Sequence, residues 1–283
     1  MSEVFDPTRC ILGEGPLWHP AREQFLWFDI SAHRLLIREG AKTRVVQFDE
    51  HVSAAGWVDD ASVLVASETR LFLFDLDREK SEDVEGLEPD TPATRSNDGR
   101  ADPWGGFWIG TMGKDHEAGA GVIYRYFKGE LRALYPGISI PNAMCFSPDR
   151  KHAYFTDTVT KKIMRQTLDA DRGWPDGDPE VFIDGTADGL HPDGAVVDAA
   201  GNLWCAMFGA GQVIAFTPEG ERFRDITFDA PQTTCPAFGG SDLTTLYCTS
   251  AARDMPSDDG KPHGAVFAQH EVTRGQAEHR VKL

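Results

Sequence analysis

Glu14, Asn97, Asn142 and Asp193 are the residues of this 283-residue chain whose types and spacing invite chemistry. Each stands about nine to eleven residues before a short apolar run. The runs are Phe25-Leu26-Trp27-Phe28, Gly106-Phe107-Trp108-Ile109, Ala153-Tyr154-Phe155 and Leu203-Trp204-Cys205-Ala206. Ser53 and Cys235 hold the same place before Val63-Leu64-Val65-Ala66 and Leu246-Tyr247-Cys248. The chain has only three asparagines, and two of them fall at this register. If the register brings these positions together, Glu14 and Asp193 would be costly to keep ionised without a positive charge between them. Oxygen-only donors suit a hard divalent cation, Ca²⁺, Mg²⁺ or Mn²⁺, and Zn²⁺ would also bind. None of the nine histidines occupies the register, and neither an HExxH pair nor a Gly-x-Ser-x-Gly elbow occurs. Histidine-based zinc hydrolysis and serine esterase chemistry are therefore disfavoured.

The elements that would carry these residues are short strands. The apolar runs recur at a mean spacing of about 44 residues between Phe25 and Thr245. Aromatic and β-branched runs of this length are strands, and a strand-built repeat of this period marks a propeller. A first strand precedes each run (15–18, 52–58, 97–101, 143–147, 194–198, 234–238), after which a turn rich in Asp, Gly and Pro leads into the run. A third strand follows (33–38, 70–75, 122–127, 162–167, 212–217, 265–269), with fourth strands legible at 44–48, 131–135 and 223–228. The fold class is all-β, a six-bladed β-propeller with a central metal-binding channel, formed by residues 1–283 as one domain. Residues 3–5 or 280–283 would supply the missing outer strand of blade six. The first strands line the channel, so the register aims its six positions at one point. Asp29 and Asp157, at the ends of second strands, read as caps or supports of that centre rather than ligands.

Composition excludes other classes. With 41% hydrophobic residues and 10% aromatics the chain is globular. A formal net charge of −17 argues against nucleic acid and anionic membrane surfaces as partners. No apolar stretch is long enough to span a bilayer, and residues 1–6 lack the features of a secretory signal. Five cysteines, an odd number without a CxxC pair, fit a reducing, cytoplasmic compartment. A monomer is expected.

Five segments together resemble the senescence marker protein/regucalcin/gluconolactonase family. They are Gly13-Glu14-Gly15-Pro16-Leu17-Trp18, Arg95-Ser96-Asn97-Asp98-Gly99-Arg100, Gly110-Thr111-Met112, Pro141-Asn142-Ala143 and Pro192-Asp193-Gly194. The likeness runs from about Glu14 to Ala206 and implies a propeller that hydrolyses sugar lactones with one divalent metal in its channel. Carried over by motif, it implies Glu14, Asn142 and Asp193 as metal ligands and Arg95 and Asn97 as substrate contacts. Asp115 is the implied acidic substrate contact, with His116 or Glu117 as alternatives in the Gly-rich loop 113–121. The family motif has Asn-Gly where this chain has Asn142-Ala143. The expected reaction is metal-dependent hydrolysis of an aldonolactone to the aldonic acid, with Asp193 as general base or, where metal-bound hydroxide attacks, as the acceptor of its proton. Arg95 and Asn97 would bind sugar oxygens. The loops 113–121 and 251–263 would form a partial lid. Alternatives are an esterase or phosphotriesterase on the same scaffold and a non-enzymatic metal-binding propeller.

Overall fold

A computed structural model describes residues 2–283. Its strands form six four-stranded antiparallel sheets, and helix is limited to two single 3₁₀ turns among the described residues. The inner strands of the six blades are Gly13–His19, Val52–Trp57, Thr94–Ala101, Pro141–Phe146, Pro192–Val197 and Thr233–Gly239. Five blades read inner to outer in chain order. In the sixth, the N-terminal strand Glu3–Asp6 pairs outside Val266–Gln269 and closes the ring.

Burial follows position in the blade. Inner and second strands are packed on both faces, so Pro141–Phe146 and Leu203–Met207 are buried along their whole length. That burial explains their unbroken apolar runs. Trp108 and Trp204 stand at matching places on the second strands of blades three and five, opposite Arg100 and Val196, and both are buried. Outer strands such as Lys80–Gly86 face water along most of their length.

One irregularity recurs in every blade. The pairing of inner with second strand slips between Glu14 and Leu17, Val52 and Ala54, and Ser96 and Gly99. It slips again between Asn142 and Cys145, Pro192 and Ala195, and Thr233 and Pro236. A bulge bends its strand and re-aims a side chain, and here all six lie at the channel register. Gly15 takes φ +53° at its bulge, where a Cβ would lie 2.1 Å from the Ser53 carbonyl oxygen, so only glycine fits.

The C-terminal segment takes no part in the blades' sheets. It crosses blades five to two. Gln276 Nε2 donates to the Phe146 and Val197 carbonyls, Trp57 Nε1 to the Glu278 carbonyl, and the Val281 amide to the Trp57 carbonyl. Val281 is buried beside Ala54, Ala101 and Phe107.

Candidate active site

The bulges converge on a cavity of about 140 Å³ lined by Glu14, Arg95, Asn97, Asn142, Thr158 and Asp193. Leu12, Met112, Ile140 and Phe208 form its apolar wall, and His116 and Arg253 complete the lining. A larger, more open depression of about 560 Å³ at Ser2, Arg224 and Gln269 contains none of these groups.

Asp29 and Asp157 position the strands that deliver the ligand-type residues. Asp157 accepts the Ser139 and Ile140 amides at 2.9 and 3.0 Å, immediately ahead of Pro141-Asn142. Asp29 accepts the Ile11 and Leu12 amides, both at 3.0 Å, just ahead of Gly13-Glu14, and pairs with Arg34 at 2.7 Å. Both act as clamps on the chain entering an inner strand.

The amides are oriented by a directed chain of hydrogen bonds. Arg95 Nη1 donates to Asn97 Oδ1 at 2.9 Å, and Asn97 Nδ2 donates to Asn142 Oδ1 and the Pro141 carbonyl, each at 3.0 Å. Asn142 Nδ2 donates to Thr158 Oγ1 at 2.9 Å, and Thr158 spends its hydroxyl proton on the Pro192 carbonyl at 2.7 Å. Thr158 can therefore only accept from Asn142. The Asn142 amino group is committed outward, which leaves its Oδ1 with a spare lone pair on the cavity side. Thr158 was not singled out by sequence reasoning. It sits in the 3₁₀ turn Thr158–Thr160 directly after the Asp157 clamp, so its place after Asp157 is the signal that could have found it.

Glu14 and Asp193 are buried and have no ion-pair partner among the described residues. Burial, reinforced by Asp98, pushes the Glu14 carboxyl up to about 8. Burial, then Glu14 and Asp98, raises Asp193 well above the usual carboxylate range. Burial lowers the Arg95 guanidinium to about 10, against the pull of Glu14. Asp98 is the buried acid behind the site that sequence reasoning assigned no role. It accepts the Met144 amide at 2.9 Å, and burial raises its pKa as well. Asp115 is exposed and lies outside the cavity lining, where His116 stands instead. Ser53 is turned to Ser96, with 2.7 Å between the hydroxyls, and does not line the cavity. All five cysteines are buried free thiols.

Two unpaired buried carboxylates, with a carboxamide oxygen aimed between the same walls, fit a divalent cation with oxygen ligands. The geometry gathers carboxylates, amides and a guanidinium into one cavity where inner strands of the propeller converge. Residues 12–252 match the family model described as the SMP-30/Gluconolactonase/LRE-like region, and the chain belongs to that family. It is 33% identical to a 6-deoxy-6-sulfogluconolactonase of Pseudomonas putida, over 95% of this chain and 94% of that protein. It is 31% identical to a pentonolactonase of Haloferax volcanii, over 96% and 95% respectively. A crystal structure of a calcium-binding protein, regucalcin, from Agrobacterium tumefaciens superposes with a TM-score of 0.97 at 40% identity. That match covers 100% of this chain and 98% of the other.

Proposed function

We propose that this chain hydrolyses sugar lactones to aldonic acids at a divalent cation held by Glu14, Asn142 and Asp193. The observation that carries the reading is the pair of buried carboxylates sharing one small cavity with a pre-oriented carboxamide oxygen. Membership of a family with lactonase relatives supports the reaction class. The similar regucalcin of Agrobacterium tumefaciens, a calcium-binding protein, supports a divalent ion, Ca²⁺. When bound, such an ion would polarise the lactone carbonyl and acidify a water molecule.

The chain's own residues do the rest. Asp193 takes the proton of the water that attacks the carbonyl carbon. That carbon's bond to the ring oxygen then breaks, and the released alkoxide recovers a proton to give the hydroxy acid. Arg95 has guanidinium donors beyond those given to Ser96 and Asn97, and they stabilise negative charge as it develops on the substrate oxygens. Asn97 spends its Nδ2 on Asn142 and Pro141, so it fixes the ligand amide and presents Oδ1 beside Arg95. Leu12, Met112, Ile140 and Phe208 exclude bulk water from one side of the ring.

A panel of five- and six-carbon aldonolactones, read by acid release beside a phosphotriester, tests the assignment. The wild type is expected to open lactones and spare the phosphotriester, and Asp193→Asn to lose at least about 100-fold in kcat while remaining folded. Turnover of the phosphotriester alone, or an Asp193→Asn protein with undiminished lactonase activity, would overturn it.

A further inference from the structure

Arg253 and His116 line the cavity mouth and have no part in the scheme above. They arrive from different loops, His116 after the second strand of blade three and Arg253 after the second strand of blade six. Arg253 Nη1 donates to His116 Nε2 at 3.0 Å and joins the loops across the opening. Arginine has no acceptor, so this bond requires Nε2 to carry the lone pair and the imidazole to be neutral. Burial and the nearby Arg253 and Arg95 charges hold His116 below its ordinary pKa, which agrees with that state. His116 thus orients a cation without adding a charge.

The loop that bears Arg253 is anchored on both sides of it. The Ala252 amide donates to the Cys10 carbonyl at 3.1 Å, and Arg9 Nη2 donates to the Met255 and Pro256 carbonyls at 2.9 and 3.1 Å. With Nη1 committed to His116, Nε and Nη2 remain for a bidentate anion contact. Among the described residues the only carboxylate paired with Arg253 is Asp254, at 4.0 Å and 94% exposed, which water screens. Deeper in the same cavity, Arg95 is buried and its hydrogen bonds go to neutral oxygens. Once a divalent ion balances Glu14 and Asp193, two guanidinium charges face one small cavity in a chain of net charge −17. A local positive field inside an acidic surface selects for anions.

We propose that the preferred lactones carry an anionic group at the chain end remote from the lactone carbonyl, and that Arg253, oriented by His116, receives it. The group would be a carboxylate, phosphate or sulfonate. This rests on the lactonase reading of the same cavity. The carbonyl belongs at the inner end with Glu14, Asn142 and Asp193, and the far end of a hexonolactone then reaches the mouth, where Arg253 waits.

The test compares kcat/KM for D-glucono-1,5-lactone with its 6-phosphate and 6-sulfonate analogues and with D-glucaro-1,4-lactone, whose remote group is a carboxylate. At least one anionic lactone is expected to exceed the neutral one tenfold or more, and the best arm identifies the group. Arg253→Gln should cut that anionic-to-neutral ratio at least tenfold, mainly through KM, with Arg253→Lys recovering part of it. Calorimetric affinity for the ring-opened anionic product should fall in parallel. Matching melting curves exclude a folding defect in this loop variant. Neutral lactone opened as well as every anionic one, or a ratio unchanged by Arg253→Gln, overturns the proposal and leaves the lactonase reading intact. Failure to open any lactone removes both.

Discussion

Thr158 and Ala143 show how little at the centre is left to chance. The Thr158 hydroxyl bonds to the Asn142 amide and the Pro192 carbonyl, and so decides which end of that amide faces the cavity. Thr158→Val keeps the shape and removes the acceptor, so the amide loses its reason to point Oδ1 inward. Cation affinity by calorimetry is expected to drop about 10- to 100-fold, with Thr158→Ser restoring most of it. A purely packing role would give unchanged affinity in the Val variant. Ala143 holds φ +58° while its methyl is buried, the left-handed conformation that favours glycine. Relief of that strain, about 1 kcal/mol, roughly offsets the lost burial of one methyl, about 0.8 kcal/mol. Ala143→Gly should therefore change stability by less than about 1 kcal/mol. Ala143→Val adds β-branching and volume at the same φ and should cost about 2 kcal/mol or more. Urea melts of the pair check both, and a neutral Val variant would contradict the backbone assignment. The departure from Asn-Gly thus keeps Asn142 and the glycine-like backbone.

At the scale of the element, the device is a bulged inner strand entered through an aspartate clamp. Asp157→Ala strands the Ser139 and Ile140 amides in a partly buried turn. A loss of about 2–4 kcal/mol is expected in urea melts, with weaker cation binding because Asn142 follows directly. A stable variant with full affinity would show that the clamp is dispensable. This scale also explains what the sequence could reveal. Inner and second strands are buried on both sides and advertise themselves as apolar runs, so six repeats and the common register of Glu14, Asn97, Asn142 and Asp193 were legible. The outer strands Lys80–Gly86 and Glu180–Asp184 were not. Their residues, Lys-Ser-Glu-Asp-Val-Glu-Gly and Glu-Val-Phe-Ile-Asp, are held by backbone pairing to one neighbour and leave side chains in water, with no alternation to read. Arg253 was invisible for another reason: its role depends on two loops meeting across blades.

Over the whole molecule, ring closure and the C-terminal segment answer the question that spacing left open. The N-terminal strand Glu3–Asp6 completes blade six, where Asp6 meets Arg38 at 2.7 Å and Phe5 packs between Phe25 and Tyr247. The C-terminal residues instead brace blades two to five. Glu278 pairs with buried Arg100, and the charge of that acid holds the guanidinium pKa up against its burial. His279 lies against Phe146, and burial lowers its pKa to about 4, with Arg100 and Arg150 adding to the shift and Asp102 opposing it. A histidine depressed in the folded state stabilises fully above its unfolded value, near 6.5, and loses that contribution as pH falls towards the folded value. Stability should therefore decline by roughly 3 kcal/mol between pH 6.5 and 4 from this group. His279→Gln should flatten that part of the profile, and a variant whose stability falls as steeply as wild type would show that His279 is not the titrating group.

The most direct test of the central claim is the rate of lactone opening by protein stripped of metal and then titrated with a single divalent cation. The account predicts a rate near the uncatalysed one after stripping and full recovery at one equivalent per chain, with no recovery in Glu14→Gln. Native rates in fully demetallated protein, or recovery in Glu14→Gln equal to that of the wild type, would contradict it.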